Sequence, residues 1–257
     1  MTFALNDSAT PPYVSNAPVA CCMTHQHDAR QLARVVAAVV PPGVVLDIGS
    51  GAGAIAMRLL HLRPDVRVVG VEVASGMALE SVRRAAAMGL GDRFRVVRGD
   101  ALAVRLPDAP SVVVNPPMLP TEGWFEAPAA SWPREGFAAA LVRRLGARRV
   151  TSDIWIHLFD FQGIERSFGW GTPIARVAAE FGFELSYPHR GWRAVGPTSR
   201  IRDALPQVAR LFPDARALID GGPVRLGELR PAEAYVLLIP HSVVRLHRAP
   251  TVNGALR

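Results

Sequence analysis

Asp47 stands at the end of an apolar run, VVLDI over residues 44–48, and Gly49, Gly51 and Gly53 follow it at alternate positions. The apolar run reads as a buried parallel strand, the glycines as a tight turn, and Ala54 to Leu60 as the opening of a helix. Glycine serves such a turn twice, by taking backbone angles other residues resist and by leaving the main chain open to a ligand. The acid selects the ligand. A carboxylate at Asp47 repels a pyrophosphate lying on the helix N-terminus and attracts a cation such as an amino group. A second acid, Glu72, ends the next apolar run (VRVVGVEV, 66–73) about 20 residues on, where a carboxylate accepts ribose hydroxyls. A third chemical position is Asn115-Pro116-Pro117-Met118, after the β-branched run Ser111 to Val114. Its two prolines continue neither strand nor helix, so they hold a side-chain amide and a carbonyl rigidly at a strand's carboxyl end.

The D-x-G-x-G-x-G pattern after an apolar strand resembles the first motif of class I methyltransferases that use S-adenosylmethionine (SAM). The resemblance implies SAM as cofactor. It also implies a cofactor site of Asp47, Gly49, Ser50, Gly51, Gly53, Glu72, Val73, Asp100, Ala101 and Asn115. Asp47 would attract the amino group of SAM, and Glu72 both ribose hydroxyls. Gly99-Asp100-Ala101 resembles the family's adenine-recognition turn, where the acid takes the exocyclic amine.

Asn115-Pro116-Pro117 resembles the Asn-Pro-Pro-aromatic motif of enzymes that methylate planar nitrogens, among them adenine-N6, guanine-N2 and release factor glutamine methyltransferases. A planar nitrogen delocalises its lone pair and is a poor nucleophile. In that family the Asn oxygen and the next carbonyl accept the amine's N–H bonds and orient it, so positioning supplies most of the acceleration. The resemblance thus implies Asn115, Pro116, Pro117 and Met118 as the catalytic stretch. Met118 departs from the pattern, which has Tyr, Phe or Trp there. A ring stacks on a flat substrate, whereas methionine packs adaptably. Trp124 or Phe125 could supply the missing ring.

These residues need a frame. A helix is expected over Thr24 to Val40, with Leu32, Val35, Val36 and Val39 inward and Thr24 or Asp28 as cap. Strands at 44–48, 66–73, 94–97, 111–114 and 153–160 alternate with helices from Ala54, at 77–88, at 136–145 and at 172–181. A last apolar strand is expected at 234–244. The expected fold is α/β, a doubly wound, seven-stranded, mostly parallel sheet with its last strand antiparallel. Residues 1–27 read as a loose arm and 28–257 as one methyltransferase domain. In 191–230 the strand pattern breaks into Gly, Pro and Arg with one helix-like piece (200–211), which reads as an insertion capping the substrate. Specific motifs of the resemblance cover about residues 28 to 190.

With 49% hydrophobic and 20% charged residues, the 257-residue chain has ample material for a substantial core. No apolar run reaches membrane-spanning length, and the start lacks the basic-then-apolar order of a signal peptide, so a cytoplasmic protein with no membrane partner is expected. His25, His27 and Asp28 lie too close together, with no partner cluster, for a metal site, and read as cap and helix surface. Cys21 and Cys22 make neither a disulfide framework nor a zinc site. The net charge of +7 comes with no lysine at all. All 29 basic residues are arginines, which points to a GC-rich bacterial genome at least as strongly as to a polyanionic partner. Pairs such as Arg83-Arg84, Arg143-Arg144 and Arg148-Arg149, and Arg200 with Arg202, read as solvated faces. The reading favoured by the sequence is N-methylation of a small molecule in bacterial biosynthesis. The alternatives are an RNA, ribosomal-protein or translation-factor methyltransferase, and a non-catalytic SAM-binding partner subunit. Oligomeric state is not legible.

Overall fold

Valine-rich segments that are apolar on both sides can only form strands covered on both faces. In the computed structural model, β1 (Gly43–Ile48), β2 (Val66–Glu72), β4 (Ser111–Val114) and β5 (Asp153–Phe159) are such strands, and with β3 (Phe94–Arg98), an edge strand whose Arg95 and Arg98 are exposed, they run in the parallel order β3-β2-β1-β4-β5. The structure describes residues 26–116, 135–167, 171–196, 205–206, 209–210, 212, 214–220, 222–228 and 236–248.

Helices α1 (Gln26–Ala37), α2 (Ala54–Leu62) and α3 (Ser75–Ala87) cover one face, and α4 (Phe137–Gly146) and α5 (Ile174–Glu180) the other. Alternation along β1 serves both layers. Val45 packs with Leu32 and Val36 of α1 and Leu59 of α2, while Leu46 and Ile48 pack with Leu141 and Leu145 of α4. Val39 was expected on the buried side of the first helix, but it lies past the helix end and is exposed. Asp28 is neither cap nor surface: it sits inside α1, is buried, and pairs with Arg193 at 2.6 Å. Thr24, His25, Cys21 and Cys22 lie outside the described residues, as does the side chain of His27.

The sheet is doubly wound and its last strand is antiparallel, as expected, but among the described residues it counts nine strands where seven were expected, and every strand after β5 pairs antiparallel. Strand β9 (Leu237–His247) runs antiparallel to β5, pairing Phe159 with His241 through Asp153 with His247. The opposite edge of β9 carries β6 (Glu184–Val195), a 12-residue strand that crosses into the region read as an insertion. Beyond the end of β5, β9 continues to Leu237 and Leu238, which pair with Ile219 and Leu218 of β7 (Arg216–Ile219). β7 turns back into β8 (Gly222–Arg225). The supposed insertion therefore supplies a hairpin at the carboxyl end of the sheet, packed on Phe159, Phe161 and Phe212.

The arginine pairs are not simply solvated. Arg148 donates to the carbonyls of Leu106 and Pro107 at 2.8 and 2.9 Å and to Asp108. Arg144 donates to Leu102 and Val104, and Arg84 to Ala52. Arg143 bridges Glu135 and Glu180. Arg63 and Arg93 reach carbonyls at the ends of α1 and α2 (Ala37 and Leu60), and Arg248 that of Gly146, the last residue of α4. A helix leaves its final carbonyls without partners, and a guanidinium is well suited to accept that role. Arg200 and Arg202 lie outside the described residues.

Arg148→Ala should therefore lower stability by about 2 kcal/mol in urea denaturation, the scale of losing charge-assisted bonds to buried carbonyls. Arg148→Lys should recover less than half, because an ammonium cannot serve two carbonyls and a carboxylate as a planar fork does. A neutral result for both would assign Arg148 to the solvent.

Candidate active site

The glycine loop is built as the spacing demands. Gly49, Gly51 and Gly53 all take positive φ, at +70°, +52° and +80°, where an L side chain is strained. A Cβ added at Gly49 or Gly51 would meet nothing within 4 Å, so the loop's outer side is open. Its inner side is closed. Gly49 and Ser50 donate to the carbonyl of Val71, and Arg84 fastens Ala52. The Ser50 hydroxyl is buried against Gly70 of β2, where a Cβ would stand 2.6 Å from it.

Asp47 and Glu72 lie beneath this loop. Glu72 ends β2 with its carboxylate pinned between two main-chain amides, Gly51 N at 2.7 Å and Ala74 N at 2.8 Å. Each oxygen keeps a second lone pair. Burial pushes the Glu72 pKa up, and the amides of Ala74 and Gly51 pull it back. Asp47 is fully buried, and neither of its oxygens has a hydrogen-bond partner among the described residues. Burial first, and the Glu72 carboxylate second, push its pKa up to about 7; the Ala56 amide, too poorly placed to satisfy either oxygen, pulls the other way. Two acids in a dry, open-topped cradle form a site that a cation completes and a pyrophosphate does not. The residues therefore fit the amino group and ribose of SAM.

The remaining positions line the same edge. Gly99 takes an extended positive φ of +152° and donates to the Glu72 carbonyl, which hangs the third loop from β2. Asp100 is exposed and spends one oxygen on Leu102 N at 2.8 Å, leaving the other to a ligand; Ala101 is buried beside it. Val73 follows Glu72 and is exposed. Val114 pairs with Ile48, so Asn115 begins alongside Gly49, one strand spacing away. Asn115 is half-buried and Pro116 buried. Pro117, Met118, Trp124 and Phe125 lie outside the described residues. Among the described residues no cluster of His, Cys, Asp or Glu could hold a metal ion.

Three histidines escaped the sequence reading. His157 of β5 lies 3.1 Å (Nδ1) from the Asn115 Oδ1, and its Nε2 lies 2.8 Å from His241 Nδ1 on β9. His189 of β6 packs near His241, with ring centroids 5.6 Å apart. A lone histidine inside an apolar strand was the only available signal for His157.

Residues 27–125 match the methyltransferase small domain family. Over 86 residues, 31% of this chain, the sequence is 40% identical to release factor glutamine methyltransferase of Chlorobaculum tepidum, covering 29% of that protein. It is 35% identical over 79 residues to the protein of the same name from Rhodospirillum rubrum, covering 31% of this chain and 24% of that one. A ribosomal RNA small subunit methyltransferase of Arabidopsis thaliana is 36% identical over 74 residues, 29% of this chain and 20% of that one. The chain thus spans less than a third of the length of these curated relatives. Among solved structures, the YcgJ protein of Bacillus subtilis aligns with 87% of this chain and 99% of its own, at a TM-score of 0.52 and 13% identity. A dimethyladenosine transferase from Plasmodium falciparum aligns with 86% of this chain and 62% of its own, at 0.51 and 14%. These two show a shared fold.

The buried acid yields a pH-dependent expectation. Folded Asp47 holds its proton to about pH 7 and the unfolded chain releases it near 3.8. The folded state binds more protons in between, so stability falls as pH rises through that window, by on the order of 4 kcal/mol in all. Asp47→Asn should match the wild-type melting temperature near pH 4 and exceed it at pH 8, while weakening SAM binding at both. Wild-type SAM binding at pH 6.5 should release a proton, seen as a buffer-dependent calorimetric enthalpy. A melting difference of equal size at both pH values would remove Asp47's desolvation as the cause.

Proposed function

We propose that this chain, whose residues 27–125 match the methyltransferase small domain family, is a class I SAM-dependent methyltransferase that transfers the methyl group of SAM to a planar nitrogen of a small-molecule acceptor. SAM supplies a methyl group made electrophilic by its sulfonium. The observation that carries the reading is the unpartnered Asp47 carboxyl one strand away from the proline-stiffened Asn115. Asp47 and Glu72 would hold the cofactor's amino group and ribose, the glycine loop would let it approach the main chain, and Asp100 and Ala101 would receive the adenine. Asn115 Oδ1 and the Pro116 carbonyl accept the acceptor's N–H bonds and aim its lone pair. Pro117 and Met118 complete the proposed catalytic stretch by sequence, with Met118 where relatives of the motif carry a ring.

Two features support a small acceptor. The β7–β8 hairpin stands at the carboxyl end of the sheet, in the segment 191–230 that we assign as a cap over one methyltransferase domain, 28–257, behind an N-terminal arm. Several arginines that would serve phosphates (Arg84, Arg144 and Arg148) are spent on this chain's own carbonyls. No described helix is long and apolar enough to cross a membrane, and we place the protein in the cytoplasm. A second reading, a glutamine amide of a release factor, is favoured by the names of the relatives and uses the same nitrogen chemistry. An RNA base and a non-catalytic SAM-binding subunit complete the outcomes to be separated.

Radiolabelled SAM offered with a bacterial metabolite extract, purified release factor or total RNA should label the metabolite fraction. Label in release factor would select the second reading, label in RNA the third, and SAM binding without transfer to any of them the fourth. On the labelled acceptor, Asn115→Ala should lower kcat by about 100-fold or more and leave the SAM dissociation constant within about twofold. Full turnover by Asn115→Ala would end the planar-nitrogen reading. Glu72→Gln should do the opposite, weakening SAM binding by about tenfold or more through the loss of a charged acceptor.

A further inference from the structure

Histidines are costly to bury, and a site needing only packing would fill these positions with valine or leucine. His157 and His241 are 1% and 5% exposed, yet each is satisfied through the other. Their strands bring them together diagonally: Phe159 pairs with His241, and His157 with Val243. On the far edge of β9, His241 pairs with Gly191, and His189 pairs with Val243. A Cβ at Gly191 would stand 2.9 Å from His189 Nε2 and 3.1 Å from His241 Nε2, so the glycine leaves room for both rings. His189 Nε2 in turn meets Gln31 Nε2 of α1 at 2.6 Å. The string crosses three strands and ends on Asn115.

Its direction is fixed at that end. An amide oxygen only accepts, so His157 Nδ1 carries a hydrogen and donates it to Asn115 Oδ1. The Nε2 of a neutral ring then holds a lone pair and takes the Nδ1–H of His241. Burial lowers the His241 pKa, which favours the neutral ring this order needs. Asn115 Oδ1 keeps one lone pair for an incoming N–H, and its amide can no longer rotate by half a turn without presenting NH2 to an N–H donor.

We propose that His157, held in one tautomer by His241, is a positioning residue that fixes the side-chain amide of Asn115 toward the methyl acceptor. The inference rests on the planar-nitrogen reading above and adds to it a residue outside the Asn-Pro-Pro stretch. It makes the rate depend on β5 and β9 as well as on β4. His157 acts through Asn115 and touches neither cofactor nor acceptor.

The test uses the full chain, with the acceptor labelled above. His157→Leu should lower kcat by about 10- to 100-fold while SAM affinity, measured by calorimetry, stays within about twofold. His157→Asn places an amide donor where Nδ1 stands and should recover most of that loss, which a purely structural role would not predict. Full kcat in folded His157→Leu, or a loss that His157→Asn does not recover, would overturn the proposal. Loss of turnover in Asn115→Ala alone would leave the planar-nitrogen reading standing and sink only this one. Should His157→Leu fail to fold, nitrogen-15 NMR of the wild-type protein decides the geometry without an acceptor. Nδ1-protonated His157 with a bare Nε2 is the expected state. An Nε2-protonated His157 in the wild type would overturn it.

Discussion

Two carboxylates share a dry space beneath the glycine loop, and much of the parallel half of the molecule is arranged to keep them there. Glu72 is tolerable because main-chain amides of Gly51 and Ala74 hold it. The Gly51 amide reaches it from a loop in which Gly49, Gly51 and Gly53 accept left-handed angles, and the Ala74 amide from the turn just after β2. Asp47 has no such relief among the described residues, and its buried carboxyl keeps a proton to about pH 7. A site of this kind stores part of the folding free energy as unmet demand for a cation, so ligand and stability are linked.

The arginines tell a second story about charge. A net charge of +7 on a chain without lysine invites the picture of a nucleic-acid binder. Among the described residues six guanidinium groups, those of Arg63, Arg84, Arg93, Arg144, Arg148 and Arg248, turn to main-chain carbonyls, at the ends of α1, α2 and α4, in the glycine loop and along the loop between β3 and β4. A planar fork reaching two carbonyls does what capping residues do elsewhere, so formal charge overstates what is left for a partner.

Local chemistry decided what could be read without coordinates. The glycine loop was legible because the sign of φ is a property of the residue, and β1, β2 and β4 because a strand buried on both faces must be apolar throughout. Strand β6 hid its nature behind Pro188 and Gly191. The ladder shifts register between Ser186 and His189, across that proline, where a bulge dispenses with the missing N–H. The hairpin at 216–225 did carry a signal, Asp220-Gly221-Gly222 between two short apolar runs, which the density of Gly and Arg around it obscured. The histidine string was beyond reach for a different reason. His157, His189 and His241 are far apart in sequence, and each alone is an ordinary histidine in a strand. Only the pairing of β9 with both β5 and β6 makes them neighbours.

Strand β9 outruns β5 at the carboxyl end, and the hairpin is fastened to that overhang by two residue pairs, Leu218 with Leu238 and Ile219 with Leu237. An attachment so short behaves like a socket. Its ladder is main-chain hydrogen bonding, indifferent to side-chain identity, and Ala217 and Leu226 seat the hairpin in one cluster with Phe159, Phe161 and Phe212. The other seven strands, β1 to β6 and β9, hold their register through ladders in which the hairpin takes no part.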